Sequence, residues 1–151
     1  MLKFFAGFFI LLAAFLLQFL FASAGIAANL SFAALISFAF VFEFWELLVF
    51  AAAAAFIINW QPAISPALAA YALFPLAAHF LRRFVRWAGW LANAAAILAG
   101  FLLLALAISP GALAAHEGSF LVDLAAGEIF GALAFLSLSR TTRARGALFE
   151  A

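Results

Sequence analysis

The chain has 151 residues, of which 72% are hydrophobic and 9% charged, with a mean hydropathy of +1.30. That apolar content exceeds what a soluble fold of this length can bury, so most side chains have lipid as their solvent and a soluble enzyme is excluded. The net charge of +1 gives no basis for a nucleic-acid partner, and the absence of cysteine excludes disulfides, thiolate metal sites and cysteine nucleophiles. The expectation is a single all-α transmembrane domain, a polytopic helical bundle of about six spans.

Lys3 precedes an apolar run from Phe4 to Ala22, about nineteen residues and so long enough to span a bilayer. Ala22-Ser23-Ala24 imitates a signal-peptide cleavage site, but the run is longer than a signal core and is read as a retained first helix, 4–22. Gln18 is its internal polar group and is expected to bond to a neighbouring helix. Gly25 to Asn29 makes a short turn. The stretch from Leu30 to Asn59 is about thirty residues, roughly 45 Å as one helix, which is long for one span and short for two. It is read as a tight hairpin of 30–42 and 44–59, with Glu43, Trp45 and Glu46 at a membrane face where the acids reach headgroups. The alanines from Ala51 to Ala55 form a packing face, and Asn59-Trp60-Gln61-Pro62 ends the arm.

The next span, 67–81, contains Pro75, which removes a backbone donor and predicts a kink near Tyr71 to Phe74. Arg82, Arg83 and Arg86, followed by Trp87, form the densest positive cluster and mark the cytoplasmic face. A span over 87–108 carries Asn93 and stops at Ser109-Pro110-Gly111. The connection through His116 has no lysine or arginine and faces outward, and the last span, 119–139, runs into a tail with Arg140, Arg143 and Arg145. Six spans put Lys3, the arginine loop and the arginine tail on one side, whereas five would put the two basic termini on opposite sides. Both termini are therefore expected in the cytoplasm.

This threading assigns the polar groups to depths. Glu43, Glu46, His79, the arginine loop and Asn93 belong to the cytoplasmic half, and Gln18, Asn29, Asn59, Gln61, His116 and Asp123 are scattered through the outer half. Glu128 lies alone near mid-membrane, where an ionisable side chain costs about 2.5 to 3.5 kcal/mol and is expected to face protein or a cavity, or to be protonated. Asp123 and Glu128 are about 140° apart around a helix and do not share a site. Gly127 and Gly131 form a GxxxG pair at which another helix can approach closely. The buried polar candidates are thus Glu43, Glu46, Asp123 and Glu128, and Glu43 and Glu46 are expected to pair with arginines of the loop. Contacts to partners or lipid are assigned to Arg82, Arg83, Arg86, Trp87, Gly127 and Gly131. No GxSxG, P-loop, GxGxxG or HExxH motif occurs, so no catalytic residue, cofactor or metal site is assigned.

The order of features resembles the rod-shape-determining MreD family of bacterial inner-membrane proteins. The resemblance lies in a first helix ending near a glutamine (AAFLLQFLF), a short second helix leading directly into a third, a polar-proline turn (NWQPAISP) and a last span running into a basic tail (FGALAFLSLSR). It implies a fold similar to the six-helix substrate-binding components of energy-coupling-factor vitamin transporters. It also implies a non-enzymatic scaffold for cell-wall elongation and cell shape, with other membrane proteins as partners. The alternative from a different class is a small-solute binding subunit of a transporter, which needs a cavity with convergent polar groups.

Overall fold

The computed structural model describes residues 2–26, 28–58, 66–85, 89–108 and 117–149, all helical or in short turns. Six helices follow one another: α1 Leu2–Ser23, α2 Leu30–Val41, α3 Phe44–Ile58, α4 Pro66–Leu81, α5 Gly89–Ile108 and α6 Glu117–Phe149. Over Leu2–Ser23, Gly89–Ala107 and Gly118–Arg140, α1, α5 and α6 are long and apolar enough to cross a membrane, as expected of a multi-pass membrane protein. Asn59, Gln61, Arg86, Trp87 and His116 lie outside the described residues.

The stretch 30–58 forms two helices separated by a break two residues wide. Phe42 takes an extended conformation (φ −87°, ψ 160°), which ends α2 while its own N–H still bonds to the Phe38 carbonyl. Glu43 then starts α3, accepting the first helical bond from Leu47 N–H at 2.9 Å. Between α1 and α2 the chain reverses at Gly25, whose φ of +77° is left-handed backbone that favours glycine. Pro75 lies buried inside α4, and the helix runs through it from Pro66 to Leu81.

The arrangement of the helices is centred on the shortest one. Every residue of α2 from Leu30 to Ala39 is buried, including Ser31 and Ser37, so α2 is enclosed on all sides rather than on one stripe. It packs against α1, α3, α4, α5 and α6. At 12 residues it is about 18 Å long, well short of a hydrocarbon core of roughly 30 Å. This changes the meaning of its length. A short lipid-facing span must thin the bilayer, whereas α2 ends against protein and has no mismatch with lipid to relieve.

Two aromatic clusters fill the space around it. At its carboxyl end Phe38, Phe42 and Phe50 meet pairwise at 5.0 to 5.1 Å, and Phe4 of α1 stacks on Phe50 at 4.8 Å. Toward its amino end Phe32 meets Tyr71 at 5.0 Å and Phe101 at 5.7 Å. Glycines set how closely the surrounding helices approach. A Cβ on Gly7 would stand 2.5 Å from the Phe42 ring, and one on Gly127 would stand 2.5 Å from the Phe101 ring. A Cβ on Gly131 would collide with Ile97 Cδ1 and stand 3.1 Å from Ser37 Oγ.

The GxxxG stripe therefore does receive close helix contacts, but from α2 and α5 of the same chain. Gly127 and Gly131 are buried, which corrects their assignment as a partner contact. Ser37 Oγ lies 2.9 Å from the Gly131 carbonyl and 3.0 Å from the Ala33 carbonyl, its hydroxyl hydrogen shared between them. This bond and the Asn29 to Asp123 contact both join residues 94 apart, so α2 and α6 run parallel in fixed register.

Candidate functional site

A helix leaves its first N–H and last C=O groups without intrahelical partners, and in apolar surroundings each unpaired group costs several kcal/mol. Because α2 ends inside the bundle, its neighbours must supply those partners. The polar side chains that supply them come from α1, α4 and α6 and from the segments beside α2.

At the amino end the carboxylate of Asp123 on α6 accepts two bonds from Asn29, from the backbone N–H at 2.6 Å and from Nδ2 at 2.8 Å. Gln18 of α1 reaches the same end, its Oε1 accepting from Ser31 Oγ at 2.6 Å and lying 3.3 Å from Ser31 N. Tyr71 of α4, buried, donates its hydroxyl to Ser31 Oγ, completing a chain from Tyr71 through Ser31 to Gln18. A negative charge at a helix amino terminus also complements the macrodipole.

At the carboxyl end the partners are basic. Arg82 Nη1 donates to the carbonyls of Ala39 at 2.7 Å and Phe42 at 3.3 Å. His79 Nδ1 lies 3.2 Å from the same Ala39 carbonyl and donates to it as the Nδ1–H tautomer. Lys3 Nζ donates to the Val41 carbonyl at 3.4 Å and sits 4.8 Å from the centre of the Phe42 ring. Burial pushes the Arg82 guanidinium below its ordinary value, from so high a starting point that it remains a cation.

The acids of the hairpin turn have different partners from those expected. Glu46 pairs with Lys3 at 3.0 Å, and the same Oε2 accepts from the Glu43 backbone N–H at 3.1 Å, a side chain reaching back over the first turn of α3. Arg82 is committed to backbone carbonyls instead, because those orphan acceptors lie in the drier interior. Among the described residues no glutamate pairs with an arginine, and Glu43 is exposed rather than buried. Arg83 is exposed, with its guanidinium 5.0 Å from the Phe84 ring.

Asp123 and Glu128 occupy different faces of α6, as their spacing predicts. Half-buried Glu128 lines a lipid-side cavity of about 480 Å³ between α5 and α6 together with Trp90, Asn93 and Phe135. Its carboxyl approaches the Leu98 backbone, and the buried Oδ1 of Asn93 has no hydrogen-bond partner among the described residues. No group of three His, Cys, Asp or Glu side chains placed to hold a metal ion occurs among the described residues.

Gln18, Asn29 and Asp123 are thus brought together rather than scattered. Sequence reasoning did not single out Tyr71 and Lys3 as structural groups, nor Ser31 as a partner of Gln18. The available signal was weak: two serines in a twelve-residue apolar helix, and the one tyrosine of the chain. Chemically, the two ends hold a helix and leave few polar atoms over for a solute. Comparison with protein-family models, with curated proteins and with solved structures gives no match to this chain.

Proposed function

We propose that this chain is a non-enzymatic membrane scaffold of the MreD type. It would lie in a bacterial inner membrane with both termini and the Arg82 to Arg86 loop in the cytoplasm. There it would help organise cell-wall elongation and cell shape through partner membrane proteins and lipids. The observation that supports this most is the use of the interior polar groups. Gln18, Ser31, Tyr71, Asn29 and Asp123 bond to one another, and Arg82, His79 and Lys3 bond to α2 carbonyls. A solute-binding subunit needs convergent polar groups with bonds to spare. A scaffold needs a fixed shape.

The alternative solute-binding reading draws on the same convergence at the amino end of α2. The two readings separate in one experiment on bacteria that carry the protein. Depletion of a scaffold should round rod-shaped cells and disperse sites of wall synthesis, and wall-elongation proteins should co-purify with the tagged chain from native membranes. Normal shape on depletion, with a small molecule retained by the purified protein, would overturn the proposal. The topology is tested by labelling of Phe84→Cys and Ala114→Cys in intact cells. Modification of the first from outside is incompatible with the proposed orientation.

A further inference from the structure

A furrow runs along the outside of the bundle between α4 and α5. Two cavities of about 240 and 340 Å³ share the Phe74 ring as a wall and together extend from Val85 and Arg82 at one end to Ala70 and Ala107 at the other. Along α5, from Ala92 to Ala107, that is about fifteen residues, or roughly 22 Å, more than one leaflet of a hydrocarbon core roughly 30 Å thick. Its depth comes from small residues. Ala92, Ala95, Ala96 and Ala99 line the α5 wall, and Phe40 of α2 contributes to the first cavity. Gly100 lets Phe74 lie close, since a Cβ there would stand 2.8 Å from that ring. Ala77, Ala99, Leu73 and Leu103 are exposed along it, so the furrow opens toward lipid.

The furrow is apolar along its whole length except at one end, where Arg82 lines it. Both hydrogen bonds that Arg82 makes among the described residues use Nη1. The Nε and Nη2 edge of the planar fork is left for an oxyanion, the geometry in which a guanidinium binds phosphate bidentately. Exposed Arg83 stands beside it. An apolar furrow divided at the Phe74 ring, with a cation at the mouth of its first cavity, matches an amphiphile that has one anionic head and an apolar tail. Basic pockets between transmembrane helices at the cytoplasmic side bind anionic headgroups for this reason.

We propose that the α4/α5 furrow is a binding site for an anionic glycerophospholipid, with its phosphate on Arg82 and one acyl chain laid between the helices. The proposal takes from the scaffold reading only its orientation, which puts Arg82 at the boundary between membrane and cytoplasm. The occupant is a single lipid rather than a partner helix, because one end carries the charge and the remainder is an alanine-lined slot.

The test is native mass spectrometry of the full chain in mild detergent, with equimolar phosphatidylglycerol and phosphatidylcholine of identical acyl chains. Retention of the anionic lipid should exceed that of the zwitterionic one by roughly fivefold or more. Ala99→Phe fills the furrow from an exposed position and leaves Arg82 in place, and it should bring phosphatidylglycerol down to the level of phosphatidylcholine at an unchanged melting temperature. Arg82→Lys, which keeps the charge, should retain part of the preference. Equal retention of the two lipids by the unaltered protein, or undiminished phosphatidylglycerol in Ala99→Phe, would overturn the site. This measurement needs no partner protein, so its failure is distinct from failure of the scaffold reading.

Discussion

At its amino end α2 meets a carboxylate and an amide, Asp123 and Gln18; at its carboxyl end it meets a guanidinium, an imidazole and an ammonium, Arg82, His79 and Lys3. Both sets satisfy orphan backbone groups, and both match the sign of the helix dipole. They differ in their surroundings. The amino end bonds inward through short contacts from α1, α4 and α6, with Tyr71 and Ser31 fully enclosed. At the carboxyl end Lys3, His79 and Arg82 are half-buried over the enclosed Ala39 and Phe42, and the cations reach outward to Glu46 and to the mouth of the furrow. The contrast teaches that the groups at one end bond mainly to one another, while those at the other hold the helix and still carry charge outward.

That difference has a measurable order. Asp123→Ala removes both acceptors of half-buried Asn29 and two hydrogen bonds to a carboxylate, with an expected loss of about 3 to 4 kcal/mol in reversible unfolding of the detergent-solubilised protein. Asp123→Asn should recover about half of it. A loss below about 1 kcal/mol in the alanine variant would show that the amino end is held by something else. Arg82→Ala should cost somewhat less, about 2 to 3 kcal/mol, because His79 Nδ1 still donates to the Ala39 carbonyl once the guanidinium is gone. If the arginine variant proves the more damaging, the ranking of the two ends is reversed.

Smaller changes sharpen the comparison further. Tyr71→Phe deletes one donor and leaves Ser31 bonded to Gln18, so about 1 kcal/mol is expected in the same assay, with no dependence on salt. A salt-dependent loss would mean that this network is open to solvent. Glu46→Gln should have the least effect, about 0 to 1 kcal/mol, since its ion pair with Lys3 has side chains 30% and 22% exposed and is screened. The effect should fade as sodium chloride is raised, and persistence at high salt would place the pair in the interior.

The sequence carried the punctuation of this fold clearly and its centre hardly at all. Gly25, the acid pair after Phe42 and Pro66 mark helix boundaries, because turns and caps need particular residue types, whereas α4 runs through Pro75. Nothing in LSFAALISFAFV says that this helix is caged. In lipid a helix facing protein and one facing acyl chains have nearly the same composition, so no hydrophobic stripe separates them. Glycine spacing on α6 revealed a close approach but not whose helix makes it. Among the described residues Glu43 and Glu46 meet no arginine, for a related reason. The competing claim on Arg82 comes from backbone carbonyls, which are present at every position and cannot be read from residue identity.

The fixed register between α2 and α6 also bears on biosynthesis. Asn29 leaves the ribosome 94 residues before Asp123, a wait of roughly 5 to 20 s at about 5 to 20 residues per second. Throughout that interval the Asn29 N–H and side-chain amide lack their Asp123 acceptor, and the seat of the central helix is incomplete until the last span arrives. The chain is therefore most exposed to membrane quality control late in its synthesis, and a ribosome stalled after α5 should leave a nascent protein that is cleared while the finished one persists.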